Sequence, residues 1–239
     1  MVLSAALPTS TQYCCRQPLN LYDSPALDRL ATQAAATRHL RIVAPLHRSP
    51  EQNPTAIQVC LCEDDYPGWL SVGDLAQLVV AATPYQPQVV TATEIRAQVP
   101  QVIAYTQAAM AQPNQYLWGG TIPPNYDCSG LMQAAFASVG IWIPRDAYQQ
   151  EAFTQAIAWS ELQPGDLVFF GSATKATHVG LYLGEDRYIH SSGKDQGHNG
   201  IAIDSLADQT TAIGCAYRSQ LRGAGRVIAA YQPQTGLTL

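Results

Sequence analysis

The chain lacks the features of two large classes of protein. No apolar stretch approaches the length needed to cross a bilayer, and no patch of basic residues stands out. Thirteen basic and eighteen acidic residues give a net charge of −5, which disfavours binding to nucleic acid. Hydrophobic residues make up 47% of the 239 positions, so the chain can fill the cores of one or two domains.

The sequence also lacks a secretory start and a zinc-binding cysteine pattern. Residues 1–8 have no positively charged beginning, and a proline breaks their short apolar stretch. Adjacent Cys14 and Cys15 would seldom form a bridge, and Cys60-x-Cys62 has no companion pair that would complete a zinc site. A free reactive thiol suits a reducing compartment, so we expect a cytoplasmic protein.

One cysteine lies where a helix is expected to begin. Cys128 precedes the apolar run 131–139, which has helical spacing on one face and is followed by Gly140 as a stop. Asn125 or Asp127 can cap such a helix through a side-chain oxygen. Free backbone N–H groups and the helix dipole on the first turn favour a thiolate over a thiol. Cys128 is therefore a candidate nucleophile; the alternative is a buried cysteine that packs as a small hydrophobic residue.

Two histidines later in the chain lie in segments that alternate like strands. Residues 177–183 place His178 on the face opposite three apolar side chains, and residues 188–192 place His190 on the same face as Tyr188. Turn-forming residues separate the two segments, which predicts a hairpin. A thiol nucleophile is built from a cysteine at a helix start and a histidine from elsewhere in the chain.

The register of this hairpin decides whether the two imidazole rings can meet. A three-residue loop, 184–186, places His190 opposite Gly180 and makes His178 the diagonal neighbour of His190. Gly180 has no side chain that would crowd the His190 ring. We therefore predict an odd-length loop or a bulge in this hairpin, because a regular two-residue turn would bring the histidines to opposite faces of the sheet.

Five short blocks occur in the order and approximate spacing of the NlpC/P60 cysteine peptidases. They are Tyr116-x-Trp118-Gly119-Gly120, Asp127-Cys128-Ser129-Gly130, Leu162-x-Pro164-Gly165-Asp166-Leu167, His178-Val179-Gly180 and Ile189-His190-Ser191. From about Gln98 to its C-terminus the chain therefore resembles this family.

The resemblance implies a catalytic role for four side chains. Cys128 would be the nucleophile, His178 the base that takes its proton, and His190 the third group, which holds the His178 ring in one tautomer. Tyr116 matches a tyrosine that lies beside the nucleophile in this family, near the oxyanion. The backbone N–H of Cys128 is a second candidate oxyanion donor. The alternatives are a structural histidine at His190 and a packed ring at Tyr116.

The part of the chain before Pro84 predicts a small β-domain. Short β-like runs at 40–43, 56–62 and 68–72 are separated by turn signals. The motifs Leu19-x-Leu21-Tyr22-x-Ser24-Pro25 and Asp65-Tyr66-Pro67-Gly68-Trp69-Leu70 resemble a bacterial SH3-type domain. The predicted order is an N-terminal tail over 1–16, an SH3-like barrel over 17–83, a linker over 84–95 and a catalytic domain over 96–239.

Helices precede strands in the predicted catalytic domain. A short helix over 93–99 has Thr93 as its cap, and Pro100 opens a second helix that runs from Gln101 to Gln112. The Cys128 helix follows, and strands dominate after Asp166, which is an α+β pattern. The family resemblance implies a papain-like arrangement, with the nucleophile helix packed on an antiparallel sheet that carries the histidines.

The resemblance also implies a substrate. Related enzymes with an SH3-type domain cut bacterial cell-wall peptides after γ-linked D-glutamate and before diaminopimelate or lysine, and some require a free N-terminal L-alanine. Tyr66 is a candidate for the wall that closes one end of the cleft, and Asp127 and Ser129 could hold the substrate ammonium. The alternatives are interdomain or core packing for Tyr66 and helix capping for Asp127. Ala147 departs from the family pattern, in which serine or threonine is common.

The sequence thus predicts a cytoplasmic cysteine endopeptidase that recycles wall peptides and needs neither a metal nor an organic cofactor. Its expected partner is the wall peptide, with neither nucleic acid nor membrane, and its oligomeric state is open. One alternative is an acyltransferase or lipid-acting hydrolase, which would need an apolar cleft or a membrane-facing surface. The other is a non-catalytic wall-binding module, in which Cys128 would be inert toward iodoacetamide.

Overall fold

The computed structural model describes residues 11–43 and 55–234, which divide into two compact units. One unit contains the described residues up to Pro87 together with 232–234, and the other contains Gln88–Tyr231. Ten residues of the predicted N-terminal tail, 1–10, lie outside the described part. Residues 12–15, also placed in that tail by the sequence, form the first strand of the N-terminal unit.

The N-terminal unit is a seven-stranded antiparallel sheet. Its strands are β1 (Gln12–Cys15), β2 (Leu19–Tyr22), β3 (Leu30–Ala34), β4 (His39–Ile42), β5 (Ala56–Leu61), β6 (Pro67–Ser71) and β7 (Leu78–Val80). They are hydrogen-bonded in the order β3-β2-β6-β5-β4-β1-β7. Alternate side chains of β1 and β4 are buried, as expected for strands with one face on a core. This unit is the predicted SH3-like β-domain.

The second unit begins with one long helix where the sequence predicted two shorter ones. Helix α1 (Ala92–Met110) has Thr91 as its N-cap, in a capping box with Glu94, so the predicted cap Thr93 is wrong. Pro100 lies inside the helix. It is on the exposed face, where the carbonyl that loses its N–H partner can bind water, so the helix continues through it. The first four residues of α1 were predicted to be linker.

The remaining elements of this unit form a helical layer and a large sheet. In chain order they are β8 (Thr121–Ile122), β9 (Asn125–Tyr126), α2 (Cys128–Ala137), α3 (Ala147–Phe153), β10 (Gln155–Ile157), β11 (Leu167–Gly171), β12 (Ala176–Gly184), β13 (Arg187–Ser192), β14 (Gly200–Ser205), α4 (Ala212–Ser219) and β15 (Leu221–Arg226). The six-stranded antiparallel sheet has the order β10-β15-β11-β12-β13-β14, and β8 pairs only with β9. The predicted α+β fold class is confirmed.

Apolar side chains cover both faces of the six-stranded sheet. On one face, Val179, Leu181 and Ile189 join the main core with residues of α1 and α2. On the other face, Phe170 and Tyr188 pack with Tyr217 of α4. Residues that alternate along β12 and β13 therefore contact different cores, as their period of two predicts. Among the described residues, no helix combines the length and apolar character of a membrane span.

The hairpin between β12 and β13 keeps the predicted register by a different route. Glu185 and Asp186 form a two-residue turn with φ values of 53° and 57°, so the three-residue loop is wrong. The register shifts between Tyr182 and Gly184, which is the predicted irregularity, a bulge at Leu183. The extra residue restores the register in which His178 and His190 share a face.

Candidate active site

Cys128 is the first residue of α2, as the sequence predicted. Its neighbour Asp127 is the N-cap and accepts a hydrogen bond from the Gly130 N–H at 2.7 Å. A side chain at Gly130 would come within 2.0 Å of the Gly120 carbonyl oxygen, so the helix start lies directly against the backbone of the preceding loop. The Cys128 Sγ is a hydrogen-bond partner of the Val179 backbone, next to His178.

Burial opposes the thiolate that the helix start favours at Cys128. Burial raises its pKa to about 12, and the charge of Asp127 adds to the increase. Hydrogen bonds to the backbone of Val179 and Ser129 lower the pKa, as a helix start should, but burial outweighs them. The helix start alone therefore does not hold Cys128 as a thiolate.

The two histidines meet on one face of the sheet. His178 Nε2 and His190 Nδ1 lie 2.7 Å apart, with the ring planes at 88° to one another. His190 is fully buried, whereas His178 is half-buried. A side chain at Gly180 would lie 2.7 Å from the Tyr188 ring and 3.3 Å from the Cβ of His190, which gives the reason for glycine between them.

A carboxylate on β14 sets the direction of the proton chain. The Asp204 Oδ2 lies 3.0 Å from Nε2 of His190 and 3.0 Å from Nε2 of His198. Burial alone would raise the pKa of Asp204, but the hydrogen bonds from both histidines outweigh it and lower that pKa, so the group is ionised.

The charge on Asp204 fixes the tautomer of His190 and, through it, that of His178. A carboxylate only accepts hydrogen bonds, so His190 must carry its proton on Nε2, and its Nδ1 then accepts from His178 Nε2–H. The remaining nitrogen of His178, Nδ1, is left without a proton and can act as a base. Desolvation and the His190 ring hold the pKa of His178 well below its ordinary value, so this nitrogen stays free at neutral pH.

Two tyrosines lie close to the nucleophile. Burial raises the pKa of Tyr116, and the nearby Cys128 adds to the effect, which agrees with its predicted place beside the sulfur. Burial also raises the pKa of Tyr217 to about 12. The Tyr217 ring centroid lies 4.9 Å from that of His178 and 4.9 Å from that of His190, and its hydroxyl shares a 2.8 Å hydrogen bond with Ser192.

Asp127 and Ser129 are held by a buried arginine. Arg145, which is 1% exposed, donates to both carboxylate oxygens of Asp127 at 3.0 and 2.6 Å and to the Ser129 hydroxyl at 2.9 Å. The same carboxylate also accepts from the backbone N–H groups of Gly119 and Gly130. The capping alternative for Asp127 is therefore confirmed, and the carboxylate carries a full set of donors from within the protein.

Tyr66 belongs to the N-terminal unit. Its ring is partly buried and packs against the hydrophobic core of that unit, and its carbonyl accepts from the Leu61 N–H at 2.9 Å. This is the packing alternative considered for Tyr66, and the predicted role as a wall of the cleft stays a prediction.

Sequence reasoning missed Asp204, Arg145 and Tyr217 as parts of the site. Asp204 alternates with Ile201 and Ile203 in β14, and Ala202 of the same strand pairs with His190. That period of two could have placed Asp204 on the histidine face. Arg145 stands with Asp146 in a block after Pro144 that resembles the family, but its contact with Asp127 was not predicted, and Tyr217 had no comparable local signal.

Comparison with known proteins identifies both parts of the chain. Residues 113–213 match the NlpC/P60 family, and residues 21–75 match the bacterial dipeptidyl-peptidase SH3 domain. A protein of Listeria seeligeri with the name "Probable endopeptidase p60" is 38% identical over 112 residues, which are 47% of this chain and 19% of that protein. The "Bifunctional muramidase/DL-endopeptidase CwlT" of Bacillus subtilis is 42% identical over 90 residues, 36% of this chain and 27% of that protein.

This chain therefore spans about a fifth to a quarter of the length of the curated relatives it matches. The match with a solved NlpC/P60 family protein from Bacillus cereus covers 91% of this chain and 64% of that protein's chain, with 22% identity and a TM-score of 0.47. The chain thus carries a bacterial SH3 domain over residues 21–75, followed by an NlpC/P60 domain over residues 113–213.

Proposed function

We propose that this protein is a cysteine endopeptidase that hydrolyses the bond between γ-D-glutamate and a diamino acid, diaminopimelate or lysine, in bacterial wall peptides. The observation that carries the proposal is the chain of hydrogen bonds from His178 through His190 to Asp204, with the Cys128 sulfur bonded to the backbone of Val179, the residue after His178. The distance from His178 Nε2 to His190 Nδ1 is 2.7 Å, and that from His190 Nε2 to Asp204 Oδ2 is 3.0 Å. The curated relatives with NlpC/P60 domains are named endopeptidases.

The first half of the reaction forms a thioester. His178 Nδ1 takes the proton of the Cys128 thiol as the sulfur attacks the γ-glutamyl carbonyl carbon, so no ion pair needs to exist beforehand. The Cys128 N–H and the Tyr116 hydroxyl are the donors we assign to the developing oxyanion. The C–N bond then breaks, and His178 gives its proton to the leaving amine of the diamino acid.

The second half releases the enzyme. Water attacks the thioester while His178 Nδ1 accepts one of its protons, and the proton returns to the sulfur as the C–S bond breaks. His190 and Asp204 keep the His178 ring in the productive tautomer throughout, and Asp204 stabilises the transient imidazolium across His190.

The choice of bond rests on the relatives and on the domain pair. The Bacillus subtilis relative is named a DL-endopeptidase, and a γ-D-glutamyl–L-diamino acid bond joins a D residue to an L residue. The SH3 domain that precedes the NlpC/P60 domain matches a type named after bacterial dipeptidyl-peptidases, and cleavage after L-Ala-γ-D-Glu releases a dipeptide.

Recognition of a free N-terminal L-alanine is a separable part of the proposal. Within the NlpC/P60 domain, we assign the contacts to Asp127 and Ser129. The ion pair with Arg145 neutralises the charge of Asp127, so an ammonium at this carboxylate would share it with the guanidinium. Cleavage and amine recognition therefore need separate tests.

The direct test is hydrolysis of L-Ala-γ-D-Glu-diaminopimelate and of its N-acetylated form, followed by mass spectrometry. We expect release of diaminopimelate from the free peptide, loss of that activity in Cys128→Ala, and full activity in Cys215→Ala, which removes an exposed cysteine. No cleavage of either peptide, or of their lysine counterparts, would refute the proposed bond. Equal cleavage of the free and acetylated peptides would refute only amine recognition.

We further propose that the enzyme works in the cytoplasm, in the recycling of wall peptides. All six cysteines are free, and four of those outside the site are partly or fully buried in the N-terminal unit without bridging. Such a set is typical of a reducing compartment. Fractionation of the source cells followed by immunoblotting tests this placement, and recovery with the wall or the medium would contradict it.

A further inference from the structure

Three potential metal ligands converge beside the catalytic histidines. His190, His198 and Asp204 each offer one ligand atom, and these three atoms lie within 4.8 Å of one another. The Nε2 atoms of both histidines face the Asp204 carboxylate. His190 comes from β13, Asp204 from β14 and His198 from the connection between these strands. His190 is fully buried, while the side chains of Asp204 and His198 are 15% and 27% exposed, so the group has one buried and one solvent side.

The spacing of these atoms suits a tetrahedral zinc ion. Zinc binds imidazole nitrogen at about 2.0–2.1 Å and carboxylate oxygen at about 2.0–2.2 Å, so its ligand atoms are about 3.3 Å apart. The Asp204 Oδ2 is 3.0 Å from each of the two nitrogens. Two imidazoles and one carboxylate also form a donor set that zinc favours over magnesium, which prefers oxygen ligands. The solvent side leaves the fourth position for water.

We propose that His190, His198 and Asp204 form an inhibitory zinc site that switches off the cysteine–histidine chain. The binding part of this inference stands on the geometry alone, whereas the inhibitory part rests on the proposed peptidase function.

The inhibition follows from the positions of the protons. Zinc binds His190 through the lone pair of Nε2, so the proton on that nitrogen must leave, and a neutral ring then carries its proton on Nδ1. Nδ1–H now donates to His178 Nε2, which must give up its own proton and become the acceptor. Neutral His178 then carries its proton on Nδ1, the nitrogen that should take the proton from Cys128. Each ring keeps one proton, but the base is lost.

Binding is tested first without the catalytic thiol, since Cys128 and His178 could themselves bind zinc. Isothermal titration of Cys128→Ala with zinc chloride should show one site per chain. In the same background, His198→Ala should weaken this site by at least about tenfold. His39→Ala, which changes a histidine in the N-terminal unit, is the matched control and should leave the affinity unchanged. Titration with magnesium chloride should show no binding. Equal zinc affinity in His198→Ala and His39→Ala would overturn the site.

Inhibition is tested next in the chain with Cys128 intact, and each variant is compared with its own metal-free activity. Zinc at a saturating concentration should abolish hydrolysis by the wild-type protein, EDTA should restore it, and His198→Ala should retain most of its activity in zinc. If zinc inhibits His198→Ala as strongly as the wild type, the ion acts elsewhere and the switch is refuted. If the metal-free protein cleaves no wall peptide but the titration succeeds, the peptidase proposal fails while the zinc site stands.

Discussion

At the scale of single residues, burial shifts the pKa values of Cys128 and His178 in opposite directions, each toward the neutral form. Burial raises the pKa of Cys128 to about 12, and desolvation with His190 lowers that of His178. In the proposed peptidase reaction, the sulfur would lose its proton to His178 as it attacks, and Asp204, bonded to His190, would set the direction of that transfer. Asp204 would thus orient the base through the His190 ring.

Removing the charge of Asp204 should slow the chemical step. Asp204→Asn replaces an obligate acceptor with an amide that can also donate, so the His190 ring can adopt the opposite tautomer. We expect kcat to fall by on the order of a hundredfold with little change in KM. Steady-state kinetics with Asp186→Asn as the control measure this, because Asp186 lies in an exposed turn. A wild-type kcat in Asp204→Asn would contradict the assigned role.

The raised pKa of Cys128 should be visible in its alkylation. Because the pKa of the thiol lies above this range, its thiolate fraction should rise about tenfold per pH unit from about pH 7 to about pH 10. The rate of iodoacetamide labelling of the Cys128 peptide, measured by mass spectrometry, should follow this rise. The peptide with exposed Cys215 verifies that the reagent stays active. A labelling rate that levels off between about pH 9 and pH 10 would show an ordinary thiol with a pKa of about 8.5.

At the scale of elements, a buried ion pair fixes the start of α2, and a glycine allows β12 and β13 to bring their histidines together. Arg145 neutralises the Asp127 cap, so a helix that begins in the interior retains a satisfied carboxylate. Gly180 lets β12 and β13 bring the two imidazoles into contact. Asp127 is the residue before Cys128, and Gly180 lies two residues after His178.

Breaking the ion pair should destabilise the NlpC/P60 domain. Arg145→Met leaves the Asp127 carboxylate buried without its counter-charge, which should lower the free energy of unfolding by about 3–5 kcal/mol. Arg187→Met removes an exposed pair with Glu185 and should cost less than about 1 kcal/mol. Denaturant unfolding measures both. The double variant Asp127→Asn with Arg145→Met should recover part of the loss, and an equal cost in both double and single variants would argue against an unpaired charge.

A methyl group at position 180 should disturb the site through the sheet. Gly180→Ala forces the Tyr188 ring and the His190 Cβ to move, with an expected cost of about 1–3 kcal/mol and a reduced kcat. Gly223→Ala, in β15 of the same sheet, meets no atom within 4 Å and serves as the matched control. Equal stability and kinetics in the two variants would show that the space at Gly180 is not needed.

At the scale of the whole molecule, the two units have separate cores, and each is described by its own hydrophobic cluster. A polypeptide of residues 88–231 should therefore fold without the N-terminal unit, since it contains the six-stranded sheet with helices on both faces. Near-ultraviolet circular dichroism and a cooperative thermal transition measure this. A non-cooperative transition without near-ultraviolet signal would contradict the independence of the unit.

Local patterns predicted much of this molecule. The period of two in β12 and β13 and the apolar run after Cys128 predicted the elements on which Cys128, His178 and His190 lie. The bulge was also expected, because only a shifted register lets His178 and His190 share a face.

Features decided by tertiary structure were missed. The protonation state of Cys128 depends on how deeply the thiol is buried, and a sequence does not contain that depth. The uninterrupted α1 depends on Pro100 facing water. Asp204 and Arg145 find their partners only after β14 and the segment before α3 have packed, so no local spacing announced them.

The contact between Gly130 and the Gly120 carbonyl has a consequence for how the nucleophile is held. At this contact the backbone of α2 packs directly against the backbone of the loop that contains Gly120, with no side chain in between. The position of the Cys128 sulfur is therefore set by these two backbone segments. A single added carbon at Gly130 would collide with the Gly120 carbonyl and push the start of α2 away from it.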